Sequence, residues 1–183
     1  MIWESSYWKK PLLRASTKIT ELSQTPNPSD DDLGNLEYLA MNGFYAIRKL
    51  LEAETKLSRT TSEGHYRSKR YPLRQEHAES KKYPDRIFNK SPNHYYDLAN
   101  PIQASSNLAY ICNQFIHSYV FVFSTDAKGQ LDGIFLSSDR DRKTHCNYIS
   151  LKEVSRIFKI VGEDYPTDAL LVRNGDGDWK VLM

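Results

Sequence analysis

The sequence predicts an α+β protein, mainly helical, with a helical bundle core and two antiparallel β-hairpins attached to it. Three observations predict this class. Leu36, Ala40, Phe44, Ile47 and Leu51 recur at steps of three and four, the period of a helix with one buried face. Tyr119-Val120-Phe121-Val122-Phe123 is a β-branched and aromatic run, and a turn around Gly129 leads back through Leu131 to Leu136. That arrangement reads as a hairpin. Leu170-Leu171-Val172 and Trp179-Lys180-Val181-Leu182 flank the turn Asn174-Gly175-Asp176-Gly177, which gives a second hairpin.

In chain order, residues 3–23 carry a loose helical stripe through Trp3, Tyr7, Leu12, Leu13, Ile19 and Leu22, with Pro11 expected to interrupt it. Residues 24–32 are a linker containing Pro26 and Pro28. Ser29 and Asp32 stand three places apart, a variant of the capping box, and predict a helix over 30–57. Gly43 inside that helix is expected at a close crossing with another helix. Residues 59–97 are expected as a basic loop or insert, with a short helix near 73–82. Asn100-Pro101 pairs a cap residue with a proline at the first helical position, so the next helix is expected over 101–119. Tyr148 and Ile149 suggest a short third strand. Ser150 and Glu153 form a capping box for a helix carrying Leu151, Val154, Ile157, Phe158 and Val161, with Gly162 as its stop. The 183 residues suit one domain over 1–183.

Composition excludes several classes. Hydrophobic residues make up 39% and charged residues 26%, so the chain is globular but polar. Two cysteines, Cys112 and Cys146, make no disulfide framework and no zinc-binding pair of Cys-x-x-Cys motifs. No run approaches the ~18 apolar residues of a membrane span, and the N-terminus reads as no secretory signal. The expected setting is cytoplasmic, with no membrane, no metal and no cofactor. A net charge of +2 is too small to identify a nucleic-acid binder. Its distribution says more: residues 59–90 hold nine Lys/Arg against four Asp/Glu.

The helix expected over 101–119 carries the window Cys112-Asn113-Gln114-Phe115-Ile116-His117 near its end. At 100° per residue from Leu108, Phe115 falls at about 340° and Cys112 at about 40°, facing the core. Asn113 at about 140°, His117 at about 180° and Tyr110 at about 200° share the opposite, polar face. Asn at i and His at i+4 are within reach of each other, so Asn113 can fix the imidazole of His117 for acid/base work. The plainer alternative is a solvated or interface histidine. The window resembles the Arg-Asn-x-x-x-His motif of the HEPN superfamily, with Cys112 at the Arg place. That resemblance implies a small helical bundle, often a dimer, linked to RNA in bacterial defence or toxin–antitoxin systems. It implies metal-independent RNA cleavage, weak or lost here because Cys112 supplies no cation. His117 would then be the acid/base and Asn113 its orienting partner. Arg48, on the preceding helix, is the candidate replacement cation. The alternative is a non-enzymatic, antitoxin-like subunit using the same helix face toward a second copy or a protein partner.

Tyr66, Arg67, Lys69, Arg70 and Tyr71 form the candidate RNA-binding set, cations for phosphates and rings for bases. Asp139-Arg140-Asp141-Arg142 reads as surface ion pairing. His145 and Cys146, being adjacent, are poorly placed to hold one metal. Asn174-x-Asp176-x-Asp178 lacks the glycine and final glutamate of a calcium loop.

Overall fold

The computed structural model describes residues 2–53, 55–85, 91–166, 170–173 and 179–182, the last two stretches as backbone. The helices are α1 Ser6–Ser23, α2 Asp30–Glu52, α3 Arg59–Ser62, α4 Gln75–Ser80, α5 Pro92–Tyr95, α6 Leu108–Ile116 and α7 Leu151–Glu163. The strands are β1 His65–Pro72, β2 Ile102–Asn107, β3 Ser118–Thr125, β4 Leu131–Ser138, β5 His145–Ser150, β6 Leu170–Arg173 and β7 Trp179–Leu182.

The architecture is α+β, but the expected helical bundle with two appended hairpins does not form. Strands β1 to β5 join in one antiparallel sheet of order β2-β1-β5-β4-β3. The β3–β4 hairpin is thus built into a larger sheet, and among the described residues β6–β7 is the two-stranded unit. The turn expected at Asn174–Gly177 lies outside the described residues. Helices α1, α2, α6 and α7 share their apolar faces with Leu131, Ile134, Leu136 and Ile149 of the sheet. Phe44 of α2 stacks on Phe115 of α6 at 3.9 Å between ring centroids, and Phe158 of α7 meets it edge-on at 5.1 Å. The helical stripes and the β3–β4 hairpin were visible in the sequence; the sheet that unites them was not, because β1 and β2 are largely polar and pair across long sequence separations.

Local chemistry sets the element ends. Ser29 caps α2, its Oγ accepting from the Asp32 N–H at 3.2 Å while Asp32 accepts from the Ser29 N–H at 3.0 Å. Helix α1 continues through Pro11 rather than breaking there. The proline costs a backbone hydrogen bond, ~3 kcal/mol or more in a helix interior, but Leu12, Ala15, Ile19 and Leu22 are buried on either side of the next turns and hold the helix down. Buried Lys9 donates to the carbonyls of Lys56, at 2.6 Å, and Asp164. Burial lowers the pKa of its ammonium, which joins the α2–α3 loop to the end of α7.

Two expected boundaries are corrected. Residues 102–107, expected inside a helix from 101, form edge strand β2, and Asn107 caps a shorter α6 by accepting from the Tyr110 N–H at 2.8 Å. The buried stripe begins only at Leu108, so nothing upstream could anchor a helix. Residues 59–97, expected as a loop or insert, supply the strand between β2 and β5. Pairings Arg67↔Ser105, Lys69↔Gln103 and Lys69↔Tyr148 fix its register. Its remaining part, around α4 and α5, packs on part of the sheet face away from the four long helices. There Tyr71, Tyr95, Tyr96, Val120 and Cys146 form a second apolar cluster.

Candidate functional site

Helix α6 holds the window that the sequence singled out. Cys112 is fully buried, and burial pushes its thiol up to about 12. Asn113 is half-buried, and its Oδ1 accepts from Arg48 Nη1 at 2.9 Å. Arg48 Nε donates in turn to Glu52 at 2.8 Å. His117 is exposed and ends the helix, its backbone N–H bonded to the Asn113 carbonyl at 3.0 Å. The structure therefore brings Arg48 to Asn113 but leaves the Asn113 side chain engaged with the guanidinium. Among the described residues no hydrogen bond joins it to the His117 ring.

The third residue of that polar face, Tyr110, belongs to another constellation. Its hydroxyl donates to Asp141 Oδ2 at 2.8 Å, lies 3.1 Å from His145 Nε2 and accepts from Asn147 Nδ2 at 3.2 Å. Gln114, 4% exposed, donates to the same Asp141 oxygen at 2.8 Å and accepts from the Ser138 N–H at 2.9 Å. Burial, reinforced by Asp141, pushes the Tyr110 hydroxyl up to about 12. Burial holds His145 below the ordinary imidazole value, against the pull of Asp141. Perturbed groups that converge like this mark a candidate site. Here they satisfy one another, and the cavity beneath them, between Ser68, Ser106 and Asn147, holds about 10 Å³, room for one water. The cluster ties α6 to β5 and to the 138–144 turn and leaves no space for a substrate. Sequence reasoning read Asp141 as surface ion pairing, weighed His145 only as a metal ligand, and passed over the Gln114 and Asn147 side chains; the one usable signal was that His145 and Asn147 alternate with Cys146 on a strand and so share a face.

Strand alternation splits the candidate RNA-binding set. Tyr66, Ser68 and Arg70 point toward the long helices; Arg67, Lys69 and Tyr71 point the other way. Tyr66 is 3% exposed, its hydroxyl bonded to the Thr61 carbonyl at 3.1 Å, and Tyr71 is buried in the second cluster. Neither ring is free to stack on a base, which corrects that expectation. Arg70 lies over the Tyr110 ring at 5.3 Å. Arg67 is exposed, and its backbone N–H donates to Glu153 at 2.9 Å. Burial raises the Glu153 carboxyl, but the hydrogen bonds from Arg156 and Arg67 outweigh it and hold the group below the usual range.

On the outward face, rings not in the predicted set take over. Lys69 Nζ sits 5.5 Å from the centroid of Tyr148, and Tyr148 lies 5.1 Å from Phe135 on the next strand. Both rings are half-buried and pack against the second apolar cluster at its edge. Gly133 makes this possible: a Cβ there would lie 2.3 Å from the Tyr148 ring, so only glycine lets that ring lie across β4. Exposed Gln103 and Ser105 continue the same face onto β2. Among the described residues no cluster of His, Cys, Asp or Glu could hold a metal ion, and no helix is long and apolar enough to cross a membrane.

No family model, curated protein or solved structure matches the chain.

Proposed function

We propose that this protein binds single-stranded RNA on the sheet face opposite its long helices. The observation that carries the reading is Lys69 over the half-buried Tyr148 ring, with Arg67 on the same face of β1 and Phe135 beside Tyr148 on the next strand. Cations beside partly exposed rings serve an unpaired strand: phosphates are neutralised and bases stack on the open part of the rings. A sheet is a good platform because side chains of alternate residues stand at fixed spacing on one face. The reading is of binding, not cleavage, because Asn113 is committed to Arg48 rather than to His117.

Fluorescence anisotropy with a labelled RNA of about ten nucleotides tests it. Binding should weaken steeply with salt. Arg67→Ala with Lys69→Ala should lower the slope of log affinity against log salt by about 1.4, two single-strand phosphates at about 0.7 each. Tyr148→Leu should cost about 1–3 kcal/mol. Unchanged affinity and slope in the Arg67/Lys69 variant would refute the reading.

A second reading, a subunit of a protein complex, is favoured by exposed rings on the helical side. Tyr38 and Tyr45, 65% and 49% exposed, stand seven residues apart on one side of α2, and Trp3 is 95% exposed. Sedimentation velocity of wild type against Tyr38→Ser/Tyr45→Ser distinguishes it. A self-associating species lost in the variant supports this reading, and a monomer throughout removes the homodimer form of it.

A further inference from the structure

The segment between β1 and β2 does more than cover the second apolar cluster. Between α4 and α5 it encloses an open-mouthed cavity of about 450 Å³, lined by His77, Lys81, Lys82, Tyr83, Asp85, His94 and Tyr95. We propose that this cavity binds a nucleoside phosphate, with its base against the exposed His94 residue, whose ring the buried His77 and Tyr95 rings support, and its phosphate on Lys81 and Lys82.

The size falls in the range of small-ligand sites, about 300–1,000 Å³. The floor is already built. His77 is 8% exposed, with Nε2 2.8 Å from the His94 carbonyl oxygen, so its ring is held in place. Its centroid lies 5.0 Å from that of His94 and 5.3 Å from that of Tyr95, and His94 meets Tyr95 edge-on at 4.7 Å. A preformed aromatic floor spares a planar ligand the cost of ordering side chains. Tyr95 also belongs to the second cluster, which anchors the floor to the sheet.

The mouth supplies the charge. Lys81 and Lys82 are both exposed and follow the last turn of α4. Lys81 adopts the left-handed conformation, φ 52°, where glycine is the usual occupant. The Lys82 N–H then donates back to the His77 carbonyl at 3.0 Å and closes the turn. Two consecutive ammonium groups thus stand at the entrance to a ring-floored cavity. A carboxylate is a suitable acceptor for ribose hydroxyls, and Asp85 is the acid of the described wall. The combination fits a ring and a phosphate on one molecule better than either alone.

The test is calorimetric titration of the full chain with adenosine 5′-monophosphate, adenosine and inorganic phosphate. The monophosphate should bind at one site, with adenosine and phosphate each at least about tenfold weaker. Lys81→Ala with Lys82→Ala, at exposed positions that leave the fold intact, should weaken the monophosphate by about tenfold and leave adenosine unchanged. No binding of the monophosphate at millimolar concentration overturns the proposal. So does equal binding by the double variant. Competition by a 5′-phosphorylated but not a 5′-hydroxyl trinucleotide would identify an RNA end as the source; no competition would identify a free nucleotide, and both outcomes uphold the pocket. The proposal does not rest on the RNA-binding face. Arg67→Ala/Lys69→Ala protein should bind the monophosphate as wild type does, so the two readings fail separately.

Discussion

Gly43 should be irreplaceable even by the best helix former. A Cβ added there would lie 2.1 Å from Cζ and 2.3 Å from Cε2 of Phe158. Carbon atoms in good contact sit about 3.5–4.0 Å apart, so the ring would have to retreat by roughly 1.5 Å. It has nowhere to go: Phe158 is fully buried and packed edge-on against Phe44, itself stacked on Phe115. Overpacking of this kind costs about 3 kcal/mol, the upper end of the usual range. Ala is better than Gly inside a helix by about 1 kcal/mol. The net expectation for Gly43→Ala is a loss of about 2 kcal/mol, or a fall in Tm of about 4–8 °C for a chain of this length. Urea unfolding followed by circular dichroism measures it, and the slope with denaturant should not change. Phe158→Leu in the Gly43→Ala background should recover part of the loss, with a coupling of about 1–2 kcal/mol. A Gly43→Ala protein as stable as wild type, or two strictly additive substitutions, would refute the reasoning.

Two further predictions concern the Tyr110 cluster. Tyr110→Phe removes a hydroxyl shared by Asp141, His145 and Asn147 and should cost about 1–3 kcal/mol in thermal or urea unfolding; no loss would show that the groups rearrange freely. His145 has its folded pKa depressed below the ordinary 6.5, so as pH falls through that value the unfolded chain takes up the proton first. Its contribution is therefore present above about pH 6.5 and lost below it, down through the folded pKa. Stability measured between about pH 8 and 5 should decline in wild type, and His145→Gln should flatten that part of the curve; identical curves would rule out His145 as the cause.

What was legible in the sequence was whatever a single segment decides by itself. Ser29, Asp32 and the apolar stripe fix α2 without help from the rest of the chain, and Gly43 already pointed to the crossing at which Phe158 is found. The β3–β4 hairpin and the start of α7 at Ser150 are local in the same sense. Strands β1 and β2 are not. Their residues are largely polar, and His65–Pro72 is a strand through its pairing with β2 on one side and β5 on the other. The Tyr110 cluster is illegible for the same reason. It joins residues 27 to 37 positions apart, across a helix, a turn and a strand, and no periodicity connects them.

The same alternation settles what the basic segment can do. In a loop, Tyr66, Arg67, Lys69, Arg70 and Tyr71 would form one mixed patch, as their sequence suggests. In β1, successive side chains go to opposite faces. Tyr66 and Arg70 are drawn to the helical side, Tyr66 into the core and Arg70 over Tyr110. Arg67 and Lys69 are left on the outer side. Pairing then brings Tyr148 and Phe135 beside them from positions 66 to 81 residues further along the chain. A one-residue slip of β1 would reverse this, moving Arg70 outward and placing Lys69 where the buried Ser68 faces the small cavity. That slip would bury an unpaired ammonium, which is strongly unfavourable. The core therefore fixes the register, and the register alone decides which two cations of the segment face outward beside the rings.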